Sequence, residues 1–222
     1  NAMINALKPV LPGVALESAF LTEYIERDGA FARFDLDLPR YSCTIEQENG
    51  SETTLNLLVS VIVPHGANSP RMLAMAKDSQ CDNLIMLREA TPPETRRTEG
   101  YDYGHLTRPF IADVRQFDDH ARTMRKWAKK PMSETEFQRL LGRNGFSTMN
   151  QSKLLEHFRS EVPVRGKTAW NAVSTLSAYA THDDLFYVRN SANVDNTMEA
   201  LTKRLYQVSK IMGSPTFSEV LS

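Results

Sequence analysis

The densest chemistry in this sequence is cationic. Arg122, Arg125, Lys126, Lys129 and Lys130 fall at i, i+3, i+4, i+7 and i+8, with no acidic residue between Arg122 and Lys130. On a helix that spacing forms one ridge, able to neutralise several phosphates of a nucleic-acid backbone. Trp127, inside the run, supplies a ring that either stacks on an unpaired base or packs at the edge of a core. Cations near a helix C-terminus also complement the macrodipole, so a plain solvated helix end is the ordinary alternative. Upstream, Arg96, Arg97, Tyr101, Tyr103, His105 and Arg108 interleave cations with aromatic rings around Gly100 and Gly104. That mixture suits single-stranded nucleic acid, because rings stack on bases while Arg meets phosphate. Glu94, Glu99 and Asp102 dilute it, and tyrosines that fold back onto a sheet are the competing reading.

Catalytic and metal chemistry is thinly represented. His65, His105, His120, His157 and His182 are scattered, without a His-x-x-x-His or His-Glu-x-x-His spacing, so a metal site would have to be assembled wholly in three dimensions. His182-Asp183-Asp184 contains the elements of an imidazole and carboxylate pair, yet adjacent residues need not face one another, and Gly-x-Ser-x-Gly is absent. Neither a Walker loop nor Gly-x-Gly-x-x-Gly occurs, which argues against the common nucleotide enzymes. Cys43 and Cys81 are too few for a cysteine metal site and fit a reducing compartment. A lone Cys81 is either a reactive thiol or a packed, inert one. No catalytic residue, metal or cofactor is expected; His105 and His182 stand as a possible pocket if the fold brings them together.

The elements that must position these residues follow from periodicity and turn chemistry. Residues 15–27 read as a short helix, and 30–38 alternate as a half-buried strand that Pro39 ends. Segments 40–47 and 52–63 flank Glu48-Asn49-Gly50-Ser51, the strongest hairpin signal in the chain. Leu55, Leu57, Val59, Val61 and Val63 share one face of the second strand while Leu58 and Ile62 make the other partly apolar, as expected of a central strand. Ser69-Pro70 opens a helix to Ala76, residues 82–87 form a strand, and 90–104 form a long loop. From Thr107 the pattern is helical. Phe110, Val114, Phe117, Ala121, Met124 and Ala128 line one face up to Pro131, and Ser133-x-x-Glu136 is a capping box for a helix through Leu141. Further helices are expected over 150–160, over 169–182 and over 195–212, the last stopped by Gly213 and Pro215. In the segment opened by Thr168 as N-cap, Ala169, Ala172, Val173, Leu176 and Ala180 form an apolar side opposite Asn171, Thr175 and His182. Strands first and helices afterwards give an α+β fold: an antiparallel sheet with a tight Asn-Gly hairpin, packed on about five helices.

The 222 residues suit one domain, 3–222, with a sheet-rich part to residue 89 and a helical part from 107. Asn1-Ala2 before Met3 has the look of a tag remnant. The longest apolar run, 57–63, is far short of the ~20 residues of a membrane span, so a soluble, cytoplasmic chain without membrane association is expected. Net charge is −1, but residues 1–111 carry 10 Lys and Arg against 15 Asp and Glu, whereas 112–222 carry 16 against 12. The basic half is the one suited to a polyanion.

Thr168-Ala-Trp170, Tyr179, His182 and Asp183 resemble the C-terminal signature of a phage and plasmid protein family known only as a domain of unknown function, number nine-three-two. Ser174 and Ser177 stand where that pattern has Asn and Thr. Cys81-Asp-Asn83-Leu-Ile-Met is similar to an earlier family element and His105-Leu-Thr107 to another, so the resemblance covers roughly Cys81 to Ser222. It implies a bacterial, prophage-type or mobile-element accessory protein, and implies no biochemical activity. Together these readings predict a protein that is not an enzyme and that binds DNA, single-stranded or duplex, or a nucleoprotein through the basic ridge and the Tyr101–Arg108 segment. One alternative is a homo-oligomeric interaction module using the alanine-rich and Met-rich helices, without nucleic acid. Another is an enzyme around His105 and His182.

Overall fold

Alternating residues in the first half and long apolar stripes in the second do separate into a sheet and a set of helices. The structure, a computed structural model, describes residues 17–26, 31–64, 71–90, 104–182 and 198–221, with side chains of the long helix described from Gln116 onward. Five antiparallel strands run in order: β1 (Phe20–Glu26), β2 (Phe31–Glu46), β3 (Glu52–Pro64), β4 (Arg71–Asp78) and β5 (Leu84–Ala90). The described helices are α1 (Gly104–Lys129), α2 (Glu134–Arg143), α3 (Thr148–Arg165), α4 (Ala169–Thr181), α5 (Met198–Met212) and α6 (Pro215–Leu221). The fold is α+β, as the order of patterns predicts.

The Asn49-Gly50 hairpin forms as expected. Gly50 sits at φ 81°, where a side chain is disfavoured. Its N–H donates to Gln47 O at 3.0 Å, and Gln47 N–H donates to Ser51 O at 2.8 Å. β3 is the middle strand and buries residues on both faces. Three expectations fail, for tertiary reasons. Residues 20–26 are a strand, not a helix, paired with β2 from Phe20↔Asp37 to Glu26↔Phe31; Phe20, Thr22, Tyr24 and Ile25 are stiff or bulky residues that favour a pleated surface. Pro39 does not end β2. Pairing with β1 stops at Asp37, so the N–H that proline lacks is not required on that side. Residues 71–76, with good helix formers, are part of β4, and Met72 to Ala76 are all buried. Burial between two strands outweighs a propensity difference of a few tenths of a kcal/mol per residue.

The described residues fall into two compact units. One takes its residues from 1–43, 55–77 and 86–120; the other combines 44–54, 78–85 and 121–222. In the first, Leu36, Leu38, Leu57, Val59, Val61, Leu73 and Met75 form the core. Inside it, the buried Arg33 guanidinium donates to the Asp35 carboxylate, which also accepts from the Ser60 hydroxyl. Two charges removed from water are tolerated because each is paired and hydrogen-bonded.

The second unit is the helical one, and α4 is its centre. Every residue from Ala169 to Ala180 is buried. The two-faced helix expected from the wheel is therefore a helix buried all round, with three of its polar residues, Asn171, Ser177 and Thr181, bonded to backbone. Asn171 Nδ2 donates to Phe158 O and Gly166 O, both at 3.0 Å, Ser177 Oγ donates to Leu84 O at 2.8 Å, and Thr181 Oγ1 accepts from Leu84 N–H at 3.1 Å. Thr168 is the N-cap, accepting from Asn171 N–H while donating to Arg165 O, and the Ala169 N–H is taken up by Lys130 O at 2.8 Å. α4 packs against α3 and α5. Trp170 is in the core, and Tyr179 meets Phe146 edge to face at 5.3 Å.

Between α3 and α4 lies Gly166, at φ 69° and ψ 179°, a region that is essentially glycine's alone. α2 has the predicted capping box: Glu136 N–H donates to Ser133 Oγ at 3.3 Å and Ser133 N–H to Glu136 Oε2 at 2.7 Å. The Ser133 hydroxyl, donating to Glu136 Oε2 at 2.6 Å, and then the Ser133 N–H hold the Glu136 carboxyl below its ordinary range. Pro215, expected to close the last helix, also opens α6, with Ser214 Oγ accepting from Phe217 N–H at 3.1 Å.

Candidate functional site

The basic ridge is built as the spacing predicts. In the second half of α1, Phe117, Ala121, Met124 and Ala128 are buried, so the face away from them is presented outward. Arg122, Arg125, Lys126 and Lys129 are exposed there, and Lys130, just past the helix end, is half-buried. Arg125 Nε donates to Thr44 O at 3.0 Å, which fixes that guanidinium while leaving its charge outward. Among the described residues, neither Lys126 nor Lys129 forms an ion pair. The aromatic part of the expected interface does not gather here. Trp127 is half-buried and packs edge to face on Phe217, with ring centroids 5.5 Å apart; it belongs to the core edge. Arg97, Tyr101 and Tyr103 lie outside the described residues, and His105 and Arg108 fall in α1 but ahead of its described side chains.

A second constellation was not visible in the sequence. His157, Glu161 and Arg165 stand at i, i+4 and i+8 on α3, and so share a face. Across from them the β4–β5 turn supplies Cys81 and Asn83, and the end of α4 supplies Ala178 and His182; together they line a cavity of about 290 Å³. His182 does line a pocket, therefore, and the imidazole beside it is His157. The pairing with His105 lies outside the described side chains.

Arg165 organises this site. It is buried, and each guanidinium nitrogen has a partner: Nε donates to Glu161 Oε2 at 2.9 Å, Nη1 to Thr53 Oγ1 at 2.9 Å and Nη2 to Asp78 Oδ2 at 3.4 Å. The turn itself is set by Asp78, whose N–H donates to Asn83 O at 2.9 Å and whose Oδ1 accepts from Gln80 N–H at 2.9 Å. Asp82, at φ 56°, takes the left-handed conformation that Asp tolerates best among residues with a side chain, along with Asn. His182 is the C-cap of α4, and its Nε2 lies 3.0 Å from Cys81 O. A carbonyl only accepts, so Nε2–H is the donor of this bond.

The electrostatics of the cavity disfavour nucleophilic chemistry. Burial pushes the Cys81 thiol up to about 11, with Asp78 adding to the effect and the Asn83 backbone N–H opposing it. A thiol so raised is protonated at neutral pH, unlike the depressed thiolates of catalytic cysteines. Burial likewise lowers His157 from its ordinary 6.5; Arg165 and His182 act the same way and Glu161 opposes them. Among the described residues, no group of three or more His, Cys, Asp or Glu is arranged to hold a metal. No helix among them is long and apolar enough to cross a membrane.

No family model, curated protein or solved structure matches this chain. What the chain offers functionally is thus read from its own two features, the ridge and the cavity. The sequence does carry a trace of the cavity. The spacing of His157, Glu161 and Arg165 forms a polar stripe on one helix, and all three line the cavity.

Proposed function

We propose that the helical unit binds a nucleic-acid backbone through Arg122, Arg125, Lys126 and Lys129. The observation that carries this reading is that all four are exposed on the outward face of a helix whose opposite face is buried. A helix rises 1.5 Å per residue, so the ridge extends over about 10 Å, the axial rise of about three nucleotides of one strand. Such a ridge meets phosphates and carries no sequence information. Because Trp127 is packed on Phe217, the reading does not include base stacking at this position. On the resemblance drawn from the signature helix, the setting we propose is a phage- or plasmid-type accessory protein acting in the bacterial cytoplasm.

The test is fluorescence anisotropy with single-stranded and duplex DNA over a range of salt. With four phosphate contacts on duplex, the log–log slope with salt is about −3.6, so affinity falls roughly 150-fold between 50 and 200 mM. Lys126→Glu with Lys129→Glu removes most of the binding. Absent binding at low salt, or binding unchanged by the reversal, overturns the reading.

A different observation favours a second reading, self-association. The alanine-rich and Met-rich helices that suggested it are used internally: α4 is buried, and Leu205, Val208 and Ile211 of α5 are core. The edge strand β1, however, exposes Phe20, Leu21, Tyr24 and Ile25, an apolar edge of the kind that pairs with another strand. Light scattering of the wild type beside an Ile25→Lys variant tests it; a monomeric wild type overturns it.

A further inference from the structure

Strand β1 is open on three sides. It is the edge of the sheet, with no described strand beyond it, and every residue from Phe20 to Ile25 is exposed, so both of its faces are open. Phe20 and Ile25 are 67% and 65% exposed, Leu21 and Tyr24 39% and 42%. Phe20, Thr22 and Tyr24 point to one face, Leu21, Glu23 and Ile25 to the other. An edge with apolar side chains on both faces is a template for a further strand, which alone meets both faces and the backbone row between them.

The residues of β1 select which strand fits. Two copies related by a twofold axis perpendicular to the sheet pair antiparallel, and the axis passes midway between two identical residues, because hydrogen-bonded and non-hydrogen-bonded pairs alternate along the ladder. Centres at Thr22, Glu23 and Tyr24 give the long overlaps within Phe20–Glu26. A centre at Glu23 sets the two Glu23 carboxylates directly opposite each other and Phe20 opposite Glu26, and like charges so placed are destabilising. A centre at Tyr24 leaves Phe20 and Leu21 outside the paired segment. A centre at Thr22 sets Thr22 opposite Thr22 and, twice, Phe20 opposite Tyr24, with Leu21 diagonal to Ile25. Threonine and aromatic pairs are favoured across strands, and no like charges stand directly opposite. Tyr24 is already oriented for this, since it lies opposite Arg33 of β2, whose guanidinium is 5.3 Å from the centre of its ring.

We propose that β1 pairs antiparallel with β1 of a second copy of this chain, in the register centred on Thr22, joining two five-stranded sheets into one of ten. The partner's Phe20 then extends the row that runs from Arg33 through Tyr24. The proposal rests on the self-association reading and deepens it by naming the partner strand and the residues that meet. Four apolar side chains from each copy make a small interface, so the dimer belongs to the weak class and is populated at about 100 µM.

Disulfide trapping reads the register. Directly opposite residues of an antiparallel pair have Cα atoms about 4.5–5.5 Å apart, within disulfide reach, whereas moving the centre by one residue sets identical residues about 7–8 Å apart, outside it. Thr22→Cys is made in the otherwise complete chain, which leaves Glu23 and both aromatic pairs in place. Glu17→Cys, exposed but outside the paired segment, measures random collision, and the unaltered chain measures the background from Cys43 and Cys81. Each is oxidised at about 100 µM and followed on non-reducing gels, beside light scattering of the wild type at the same concentration. A dimeric wild type is expected, with Thr22→Cys cross-linking about tenfold faster than Glu17→Cys. A dimeric wild type in which Thr22→Cys cross-links no faster than Glu17→Cys overturns this register and leaves self-association standing. A monomeric wild type overturns both, and because that measurement needs no substitution, it decides the matter whatever the variants do.

Discussion

Replacing Arg165 with Met keeps the volume and aliphatic reach of the side chain while removing the charge that holds three elements together. The guanidinium side chain is 7% exposed and that of Asp78 2%, whereas Glu161 is 28% exposed. On loss of the cation, Glu161 can turn toward water, but Asp78 cannot. Breaking a buried pair from one side typically costs 3–5 kcal/mol, and the escape of Glu161 places this case at the lower end, about 3 kcal/mol. For a chain of this size that is a fall of about 6–12 °C in Tm. Both tryptophans, Trp127 and Trp170, belong to the helical unit, so urea unfolding followed by tryptophan fluorescence reports on the unit that contains the pair. The companion variant Arg165→Met with Asp78→Asn removes the stranded charge and recovers part of the loss, about 1–2 kcal/mol, because the amide still accepts from Gln80 N–H. A single-variant loss below about 1 kcal/mol, or a double variant no more stable than the single one, would show that Asp78 does not depend on Arg165.

Three further outcomes follow from the helical unit. Thr175 Oγ1 is buried on α4 without a partner among the described residues, so Thr175→Val, which keeps the shape, raises stability by about 1 kcal/mol and Tm by about 2–4 °C; a loss of similar size in thermal melts would show that the hydroxyl is bonded. At pH 8, Cys81 near 11 has a thiolate fraction of about 0.1% against about 25% for an ordinary thiol. The higher intrinsic nucleophilicity of a high-pKa thiolate returns about tenfold, so iodoacetamide should label Cys81 in a Cys43→Ser background about 20-fold more slowly than glutathione; labelling as fast as glutathione contradicts the buried, protonated thiol. His157 is lowered in the native state, so the unfolded chain takes up the proton first. Stability is then complete above about 6.5 and declines as pH falls from there toward the lower native value. His157→Gln flattens that segment of the pH profile, and a wild-type profile already flat there speaks against it.

What could be read from the sequence was local. The Asn49-Gly50 turn, the Ser133 capping box, the Thr168 N-cap and the stripe of α1 each declare themselves within a few residues, because turn chemistry and helical period need no distant partner. β1 and β4 did not: Phe20–Glu26 is held in a strand by its pairing with β2 as well as by its bulky residues, and Met72–Ala76 is a strand by virtue of its neighbours rather than its propensities. α4 misled for a related reason: Asn171 and Thr175 look solvent-facing on a wheel, but both are buried, and Asn171 donates to the carbonyls of Phe158 and Gly166. The cavity was hidden because its two walls come from separate stretches, Cys81–Asn83 and His157–Arg165, and neither is a motif alone. The ridge was legible as a ridge, whereas the occupation of the Trp127 ring by Phe217 was not.

Whether the α1 ridge meets phosphate is decided by DNA affinity as a function of salt for the wild type and the Lys126→Glu, Lys129→Glu pair. The expected log–log slope on duplex is about −3.6 in the wild type and shallower by about 2 in the pair, one unit per lost phosphate contact. Equal slopes and equal affinities in the two proteins, or a wild type that binds no DNA at low salt, would contradict it.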